Sequence, residues 1–472
     1  MTGKWPRLHW MLGGVTPMNS LRLSEAAQEL QGMHIGEDVS FSSVSTDTRT
    51  LKPGDFYIAL SGPRFDGHRF VEQAADKGAA AAMVTTRQAC GIPQLQVADT
   101  RSGLGRLAGL WRDRFEVPVA AITGSNGKTT VKELLAAILR VRGPVLATQG
   151  NLNNDIGLPL TLLRLQDEQC AVVEMGANHP GEIGYLSQIA RPDVALINNA
   201  GAAHLEGFGD LAGVARAKGE ILGGLKPSGV AVLNADDDYF PLWREYTGER
   251  QMLSFGVSPR ADVRSDLDQA GMRWTEQGFQ NHMLVEHQGG DFEVRIALAG
   301  RHNLMNALAA IAAALALGCS VDEIQMGLAS VGAVEGRLRL LNTPAGYRLI
   351  DDSYNANPDS VGAAIEVLRS APGERYLVLG DLAELGAESC ALHAEIGRRA
   401  KRAGVDHLYG LGSLSRHAAE SFGTGGRAFS ELDELVEALH EATRRGDAVL
   451  VKGSRSAGMD RVVQRLMAEG RG

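Results

Sequence analysis

Residues 121–130 are Ala-Ile-Thr-Gly-Ser-Asn-Gly-Lys-Thr-Thr, a glycine-rich turn between two regular segments. The apolar run 117–122 before the turn predicts a buried strand, and residues 131–141 after it predict a helix. Proteins bind nucleotide triphosphates with this order of strand, turn, Lys-Thr and helix, because backbone N–H groups wrap the phosphates at the positive end of the helix. We expect Lys128 to meet the β- and γ-phosphates and the Thr129 hydroxyl to bind Mg²⁺.

The turn departs from the common P-loop. That pattern has a glycine five residues before Gly127, where this chain has Ile122. The variant Thr-Gly-Ser-Asn-Gly-Lys-Thr-Thr resembles the ATP-binding loop of the Mur ligases and folylpolyglutamate synthetases, which join amino acids to a carboxylate. An ordinary turn before a helix is the alternative, but a lysine and two hydroxyls in this order favour the nucleotide loop. The residues expected at the nucleotide here are Gly124, Ser125, Asn126, Gly127, Lys128, Thr129 and Thr130.

The composition excludes several classes of protein. A chain of 472 residues predicts roughly two to four domains. The net charge of −9 argues against a nucleic-acid binder, and no apolar run reaches the roughly 18 residues that a membrane span needs. The four cysteines are scattered without a C-x-x-C pair, which predicts thiols in a reducing cytoplasm and no structural zinc site.

Alternation of apolar strands and helices predicts an α/β protein of three domains. We expect a mixed α/β domain over residues 18–103, a central parallel-sheet domain of P-loop type over 104–333, and a Rossmann-like, doubly wound domain over 334–472. A β-rich insertion is expected near residues 255–299. The first 17 residues lack periodicity, so we expect them to be dispensable, with Met18 as an alternative start.

Two residues in the central domain have the positions expected of metal ligands. Glu174 ends a predicted strand next to the nucleotide strand, and His204 follows one β–α repeat later at the same edge of the sheet. An exposed acid and a structural histidine are the alternatives. Lys218 lies on the next predicted helix and would by itself be taken for a solvated lysine.

The order of three motifs makes the resemblance to Mur ligases more specific. Glu-Met-Gly-Ala-Asn at 174–178, Asn-Ala-Gly-Ala-Ala-His-Leu-Glu at 199–206 and Ala-Lys-Gly-Glu-Ile at 217–221 occur in the order seen in that family. The resemblance implies that Lys218 is carbamylated by CO₂ and, as an anion, supports Mg²⁺. The implied metal-binding residues are Thr129, Glu174, His204 and Lys218.

Two further residues are expected at the nucleotide. The Gly-x-His-Asn-x-x-Asn-Ala signature at 300–307 opens a predicted helix, and the resemblance implies that Asn306 meets the adenine. Arg337 lies where the third domain begins, so it is well placed to reach a phosphate when two domains close, although an exposed linker arginine is the alternative. The implied catalytic residues are Lys128, Glu174, His204, Lys218 and Arg337.

The third domain carries the motif that bears on the amine substrate. Residues 351–358, Asp-Asp-Ser-Tyr-Asn-Ala-Asn-Pro, follow a predicted strand and could simply form a loop and helix cap. The run also resembles the branch of the family that adds D-alanyl-D-alanine, as do residues 378–386, in which Leu382 replaces an expected methionine, and 451–456. The resemblance implies that Asp352 serves the ATP ribose and that Asn355 and Asn357 bind the dipeptide.

The first domain carries the segments expected to bind the nucleotide-linked substrate. Residues 45–49 and 65–68 resemble a uridine-diphosphate-binding segment, with Thr48 where serine is commoner, and residues 151–157 resemble the segment that faces sugar and peptide. Without the resemblance, these would be ordinary turns. The implied substrate-binding residues are Thr46, Thr48, Arg49, Asn153 and Asn154.

The resemblance extends from about residue 18 to the end and implies an activity. It implies an ATP- and Mg²⁺-dependent ligase that joins D-alanyl-D-alanine to UDP-N-acetylmuramoyl-tripeptide through an acyl phosphate, for peptidoglycan synthesis. A cytoplasmic monomer is expected, with no nucleic-acid partner and no membrane span. Two alternatives stay open, a sibling ligase that adds a single amino acid or glutamate and a P-loop ATPase without a carboxyl acceptor. Asp381 and Glu384 are both candidates for the base that deprotonates the amine.

Overall fold

The structure is a computed structural model that describes residues 20–63, 65–201, 205–275, 278–332 and 335–468. The expectation about the first 17 residues and the metal-ligand prediction for His204 therefore lie outside the described residues. The described chain is α/β, as predicted, with three main sheets. No helix in these ranges has both the length and the apolar character to cross a bilayer.

The amino-terminal part, residues 20–113, contains a five-stranded sheet in the order β2-β9-β8-β5-β4, in which the strand at one edge is antiparallel and the others are parallel. The strands of the whole amino-terminal part are β1 (Leu21–Arg22), β2 (Met33–Ile35), β3 (Ser40–Phe41), β4 (Val44–Ser45), β5 (Phe56–Ile58), β6 (Ser61–Gly62), β7 (Phe65–Asp66), β8 (Ala81–Val84) and β9 (Gln94–Gln96). Its helices are α1 (Leu23–Leu30), α2 (Val71–Asp76) and α3 (Thr100–Asp113), with a 3₁₀ turn at Gly67–Phe70.

Helix α3 connects the amino-terminal part with the central part. It begins at Thr100 because the Asp99 carboxylate accepts a hydrogen bond from the Ser102 N–H at 2.6 Å. At its other end, Trp111 is buried and its indole N–H donates to the Leu165 carbonyl in the central part at 2.9 Å. The expected domain boundary between residues 103 and 104 thus lies inside this helix.

The central part, residues 119–332, is built on one long sheet in the order β11-β12-β10-β13-β14-β15-β16-β18-β17, with β19 paired to β18. Its strands are β10 (Val119–Thr123), β11 (Val145–Ala147), β12 (Cys170–Glu174), β13 (Val194–Ile197), β14 (Val230–Asn234), β15 (Gln251–Gly256), β16 (Val263–Arg264), β17 (Gly271–Thr275), β18 (Gly278–His287) and β19 (Phe292–Ile296). Its helices are α4 (Lys128–Arg140), α5 (Gly157–Leu162), α6 (Glu182–Ala190), α7 (Leu205–Phe208), α8 (Leu211–Gly219), α9 (Phe240–Thr247), α10 (Arg301–Ala316) and α11 (Val321–Ala329), with a 3₁₀ turn at Glu220–Gly224.

Strand β10 occupies the position in this sheet where a ligand is expected. It pairs in parallel with β12 on one side and β13 on the other, so the chain crosses from one half of the sheet to the other around it. Ligands of open parallel sheets bind outside the carboxyl ends of the strands at such a switch point. The glycine-rich turn 124–127 follows β10 directly and therefore lies in that crevice.

The expected β-rich insertion is present as β16 to β19. Strand β16 continues the parallel sheet beside β15, and β18 then pairs antiparallel with β16, β17 and β19. Alternate residues of β18 are buried, among them Phe279 and Met283, as one face of a half-buried strand requires. The hairpin of β17 and β18 contacts the carboxy-terminal part, where the Trp274 indole N–H donates to the Ser370 hydroxyl at 3.3 Å.

The carboxy-terminal part, residues 335–468, is the predicted doubly wound domain, with strand order β20-β21-β25-β22-β23-β24. Its strands are β20 (Arg339–Asn342), β21 (Arg348–Asp352), β22 (Arg375–Gly380), β23 (His407–Leu411), β24 (Gly426–Phe429) and β25 (Ala448–Lys452). Its helices are α12 (Pro358–Arg369), α13 (Ser389–Arg402), α14 (Ser415–Phe422), α15 (Leu432–Ala442) and α16 (Asp460–Ala468), with 3₁₀ turns at Gly386–Glu388 and Arg455–Ala457. Strand β20 is antiparallel to β21, and separate apolar clusters cover the two faces of the sheet.

Close packing against α4 yields a test of the fold. Gly327 of α11 lies directly over α4, where an added Cβ would meet the Cα atom of Ile138. We expect Gly327→Ala to lower the free energy of unfolding by about 1–3 kcal/mol, because helix backbones cannot yield as a flexible side chain can. The matched control is Gly109→Ala in α3, where the added Cβ meets no atom within 4 Å.

Thermal or urea unfolding of both variants checks this prediction. The control should gain about 0.5–1 kcal/mol, because alanine is a better helix former than glycine. Equal unfolding midpoints for the two variants would show that α11 does not pack on α4 as described.

Candidate active site

The turn after β10 has a backbone that only glycine accommodates well. Gly127 has φ +80° and immediately precedes Lys128, the first residue of α4. A Cβ at Gly127 would lie 2.6 Å from the Asn198 amide nitrogen, and it would also collide with the Asn306 side chain. Both the dihedral angle and the close approach therefore require glycine at the position where α4 presents its free N–H groups.

Side chains from the end of β13 hold the turn in place. The Asn126 N–H donates to the Asn199 side-chain oxygen at 2.9 Å, and the Asn126 carbonyl accepts from the Asn198 amide at 2.9 Å. The Ser125 hydroxyl donates to the Gly201 carbonyl at 3.0 Å. The turn is thus positioned by the neighbouring strand before any ligand binds, as a preorganised phosphate site requires.

The Lys128 ammonium folds back over the turn that precedes it. Its Nζ donates to the Gly124 carbonyl at 2.6 Å and approaches the Ser125 carbonyl at 3.4 Å. Burial lowers the pKa of Lys128, while the Glu174 carboxylate opposes that shift. The amine therefore spans the glycine-rich turn within the electrostatic reach of Glu174.

Thr129 and Glu174, both predicted as metal ligands, are in direct contact. The Thr129 hydroxyl donates to Glu174 Oε2 at 2.8 Å, and Asn153 Nδ2 donates to Glu174 Oε1 at 2.8 Å. The Glu174 backbone N–H donates to the Thr148 hydroxyl at 2.9 Å, and Glu174 is only 3% exposed. Two donors thus fix the carboxylate, and a third hydrogen bond fixes the backbone of Glu174 at the carboxyl end of β12.

Lys218 is a buried lysine in the same region. It lies near the end of α8, is 2% exposed, and has its Nζ 5.6 Å from the centre of the Phe208 ring. Burial and, to a smaller extent, the positive charge of Lys128 lower the pKa of Lys218 to about 7, against the opposing charges of Glu220, Glu182 and Glu174. The charges of Lys128 and Glu174 thus act on the Lys218 amine.

Arg337 from the carboxy-terminal part reaches the nucleotide turn. Its guanidinium donates to the Thr129 hydroxyl at 3.0 Å and stacks 4.5 Å from the centre of the Tyr354 ring. The structure thus brings together Lys128, Thr129, Glu174, Lys218 and Arg337 of the predicted site.

Asp352 lies at the end of β21 in a buried ion pair that the sequence did not indicate. Its Oδ2 accepts from Lys452 Nζ at 2.6 Å, and its Oδ1 accepts from the Leu338 N–H at 3.2 Å. Burial raises the pKa of Asp352, and the charge of Lys452 opposes the shift. Lys452 was missed, although its place at the end of β25, beside Asp352 in the parallel register, could have indicated it.

Asn306 lies beneath the nucleotide turn. Its Oδ1 accepts from the Asn198 amide at 2.8 Å, its Nδ2 donates to Asn303 at 3.1 Å, and it is 5% exposed. In this arrangement it supports the turn through Asn198, and its contact with adenine stays a prediction.

The residues predicted for the dipeptide lie in the loop between β21 and α12. Asn355 is exposed and its Oδ1 accepts from the Ala356 N–H at 2.9 Å, whereas Asn357 caps α12 and also contacts Asn126 at 2.7 Å. Asp381, a candidate base, accepts from the N–H groups of Leu414 and Ser415 at 3.0 and 2.7 Å. Glu384 is exposed, with φ +61°.

The residues predicted for the nucleotide-linked substrate lie in two places. Thr48 is buried with its hydroxyl donating to Gln73 at 2.8 Å, Thr46 is half-buried, and Arg49 is exposed and pairs with Asp47 at 2.6 Å. Within the described ranges no contact joins these three residues to Glu174. Asn153, by contrast, binds Glu174 directly, and its neighbour Asn154 accepts from the Gly157 N–H at 2.8 Å where α5 begins.

Three family models match the chain and together span most of it. Residues 40–112 match the Mur ligase family catalytic domain, residues 122–314 the Mur ligase middle domain, and residues 336–455 the Mur ligase glutamate ligase domain. The matched ranges contain all of the cluster formed by Lys128, Thr129, Glu174, Lys218 and Arg337.

Individual relatives match over nearly the full length. UDP-N-acetylmuramoyl-tripeptide--D-alanyl-D-alanine ligase of Escherichia coli is 45% identical over 96% of this chain and all of its own length. A crystal structure of MurF from Acinetobacter baumannii superposes with a TM-score of 0.89 at 38% identity, covering 96% of this chain and 100% of that one. MurF ligase from Thermotoga maritima in complex with ADP gives a TM-score of 0.81 at 31% identity, covering 91% of this chain and 97% of that one. Because three family models match its domains and relatives match nearly its full length, the chain belongs to the Mur ligase family.

Proposed function

We propose that this chain joins D-alanyl-D-alanine to UDP-N-acetylmuramoyl-tripeptide with the conversion of ATP to ADP and phosphate, a step of peptidoglycan synthesis. The observation that carries the proposal is the contact of Arg337 with Thr129, which places a cation of the carboxy-terminal part against the nucleotide turn. Support comes from the Escherichia coli relative, whose name states this reaction, and from the Thermotoga maritima relative, whose structure contains ADP.

The chemistry requires activation of a carboxylate. A carboxylate does not condense with an amine at neutral pH, because oxide is a poor leaving group. In the proposed reaction a carboxylate oxygen of the tripeptide attacks the γ-phosphorus of ATP, the bond from that phosphorus to the β–γ bridging oxygen breaks, and ADP leaves. The amine of the dipeptide then attacks the acyl carbon, the carbon–oxygen bond to phosphate breaks, and inorganic phosphate leaves with the electron pair while a base takes the amine proton.

The side chains of the cluster serve this reaction by position and charge. Lys128 and Arg337 balance the negative charge on the transferred phosphoryl group, which needs alignment and electrostatic stabilisation more than covalent help. Asn306 and Asp352 are proposed for the adenosine, beside the loop residues 124–130.

A magnesium ion fits the oxygen atoms present. The Thr129 hydroxyl and the Glu174 carboxylate converge at 2.8 Å, and both are the hard oxygen ligands that Mg²⁺ prefers. No group of three or more His, Cys, Asp or Glu side chains suited to a metal occurs in the part of the chain that the structure describes. When bound, Mg²⁺ would neutralise phosphate charge, with His204 and a modified Lys218 as the further proposed ligands.

Lys218 is proposed to be carbamylated. The Lys218 ammonium first loses a proton, and the neutral amine nitrogen then attacks the carbon of CO₂. An N–C bond forms, one C=O π bond opens onto its oxygen and a second proton leaves the nitrogen, so that a cation becomes an anion overall. Its pocket favours the neutral amine that this step needs, because burial and Lys128 lower the pKa of Lys218 to about 7.

Each of the three parts of the chain is proposed to bind a different substrate. Residues 18–103 would bind the uridine diphosphate through Thr46, Thr48 and Arg49, residues 104–333 ATP, and residues 334–472 the dipeptide. Asn153 and Asn154 are proposed for the sugar and peptide, and Asn355 and Asn357 for the dipeptide. We place the enzyme in the cytoplasm as a monomer.

Chemical rescue tests the role of Lys218. Lys218→Ala should lose most ligase activity, and short carboxylic acids such as formate should restore part of it by supplying the missing carboxylate. The matched control is Lys128→Ala, which should lose activity by more than about a hundredfold and gain nothing from carboxylic acids, because a cation is missing there. Equal rescue of both variants, or full activity of Lys218→Ala without any acid, would contradict the carbamate.

Measurement of ADP and amide product tests the proposed function itself. With UDP-N-acetylmuramoyl-tripeptide present, D-alanyl-D-alanine should support amide formation, and D-alanine, L-alanyl-L-alanine and L-lysine should not replace it. A comparable kcat/KM for a single amino acid would identify a sibling ligase. ADP release that stays high without tripeptide and dipeptide would identify an ATPase without a carboxyl acceptor.

A further inference from the structure

Asn357 makes two hydrogen bonds that belong to different parts of the chain. Its side-chain oxygen accepts from the Ser360 N–H at 2.8 Å and so caps α12. Its side-chain nitrogen donates to Asn126 Oδ1 in the nucleotide turn at 2.7 Å. One amide group therefore connects the start of α12 with the turn that is expected to hold the phosphates.

The cap determines the direction of this contact. Because the oxygen of Asn357 is used on α12, its NH₂ group must face Asn126, and Asn126 must present its own oxygen. Asn126 is itself held by its backbone, through the Asn199 and Asn198 side chains at 2.9 Å each. The Asn357 amide cannot turn away without losing its cap, and the backbone of Asn126 is fixed in place opposite it.

A second close approach lies beside the first. A Cβ added at Gly201, which follows β13, would lie 2.9 Å from an Asp359 carboxylate oxygen in the first turn of α12. Gly201 is also the residue whose carbonyl accepts from Ser125 of the nucleotide turn. The amino end of α12 therefore contacts the nucleotide turn and the residue that supports it.

We propose that Asn357 serves the dipeptide by position and not by direct side-chain contact, because both polar atoms of its amide are engaged within the protein. As a positioning residue it couples the nucleotide turn to α12, so that the acyl phosphate forms against the bound amine and away from water. This inference rests on the proposed function. Without the contact, a water oxygen attacks the acyl carbon in place of the amine, the carbon–oxygen bond to phosphate breaks, and the tripeptide carboxylate and inorganic phosphate are released. Loss of the contact therefore separates phosphate release from amide formation.

The test is a double-mutant cycle with Asn357→Ser and Asn126→Ala. Serine keeps the cap on α12 but cannot donate to Asn126, so the fold is preserved. Each single variant should lower kcat/KM for D-alanyl-D-alanine by roughly five- to tenfold, the range of one lost hydrogen bond, and should release more than one phosphate per amide bond formed. The double variant should be no worse than the poorer single variant, because both remove the same contact.

The matched control exchanges the same two residue types, in the opposite direction, at a helix cap that makes no contact with the candidate active site in the described residues. Ser320→Asn caps α11 and should leave kcat/KM and the ratio of phosphate to amide unchanged. Asn357→Ala should additionally lower the unfolding midpoint, which separates the cap from the coupling contact.

Two results would overturn the coupling role and leave the proposed function standing. One is a wild-type kcat/KM and a wild-type ratio of phosphate to amide for Asn357→Ser. The other is a double variant whose loss of kcat/KM equals the product of the two single losses. Absence of any amide product from the unaltered protein would instead overturn the proposed function, and this inference with it.

Discussion

Helix α4, strand β12 and the carboxy-terminal part meet at the hydroxyl of Thr129. It donates to Glu174 at the end of β12 and accepts from Arg337 of the carboxy-terminal part. It reaches both because α4 begins immediately after Gly127, whose φ of +80° turns the chain from β10 into the helix. Loss of the Thr129 hydroxyl would remove a donor from the buried Glu174 carboxylate and an acceptor from Arg337 at the same time.

Charge balance gives this arrangement its chemistry. Lys128 and Lys218 both feel the charge of Glu174, Arg337 reaches the same Thr129 hydroxyl that binds Glu174, and burial lowers the pKa of both lysines. Positive charge held in a region poorly solvated by water is stabilised by an anionic ligand, which favours phosphate at the turn. The same environment favours a neutral Lys218 amine, the form that reacts with CO₂. One electrostatic setting thus supports phosphate binding and the proposed lysine modification.

Long apolar strands and their polar ends could be predicted from the sequence, but contacts between distant segments could not. Strand β10 spans Val119–Thr123 where the apolar run 117–122 predicts a strand, and Glu174 and Thr129 meet because parallel strands end at one edge. Helix α4 begins three residues before the predicted start at 131, because its polar first turn carries no apolar period. Short, partly exposed strands such as β11 and β24 were missed. The Asn357–Asn126 contact joins residues 231 apart, and no local pattern encodes it.

Transfer of an isotopically labelled oxygen would test the central claim most directly, namely that the cluster around Thr129 delivers a phosphoryl group to a substrate carboxylate. The tripeptide carboxylate of the UDP-linked substrate is labelled in both oxygens, the ligation is run to completion, and the released phosphate is examined by mass spectrometry. The account predicts one labelled oxygen in each phosphate, because the carboxylate oxygen that attacks phosphorus leaves with it. Phosphate that carries no label while amide product accumulates would contradict the account.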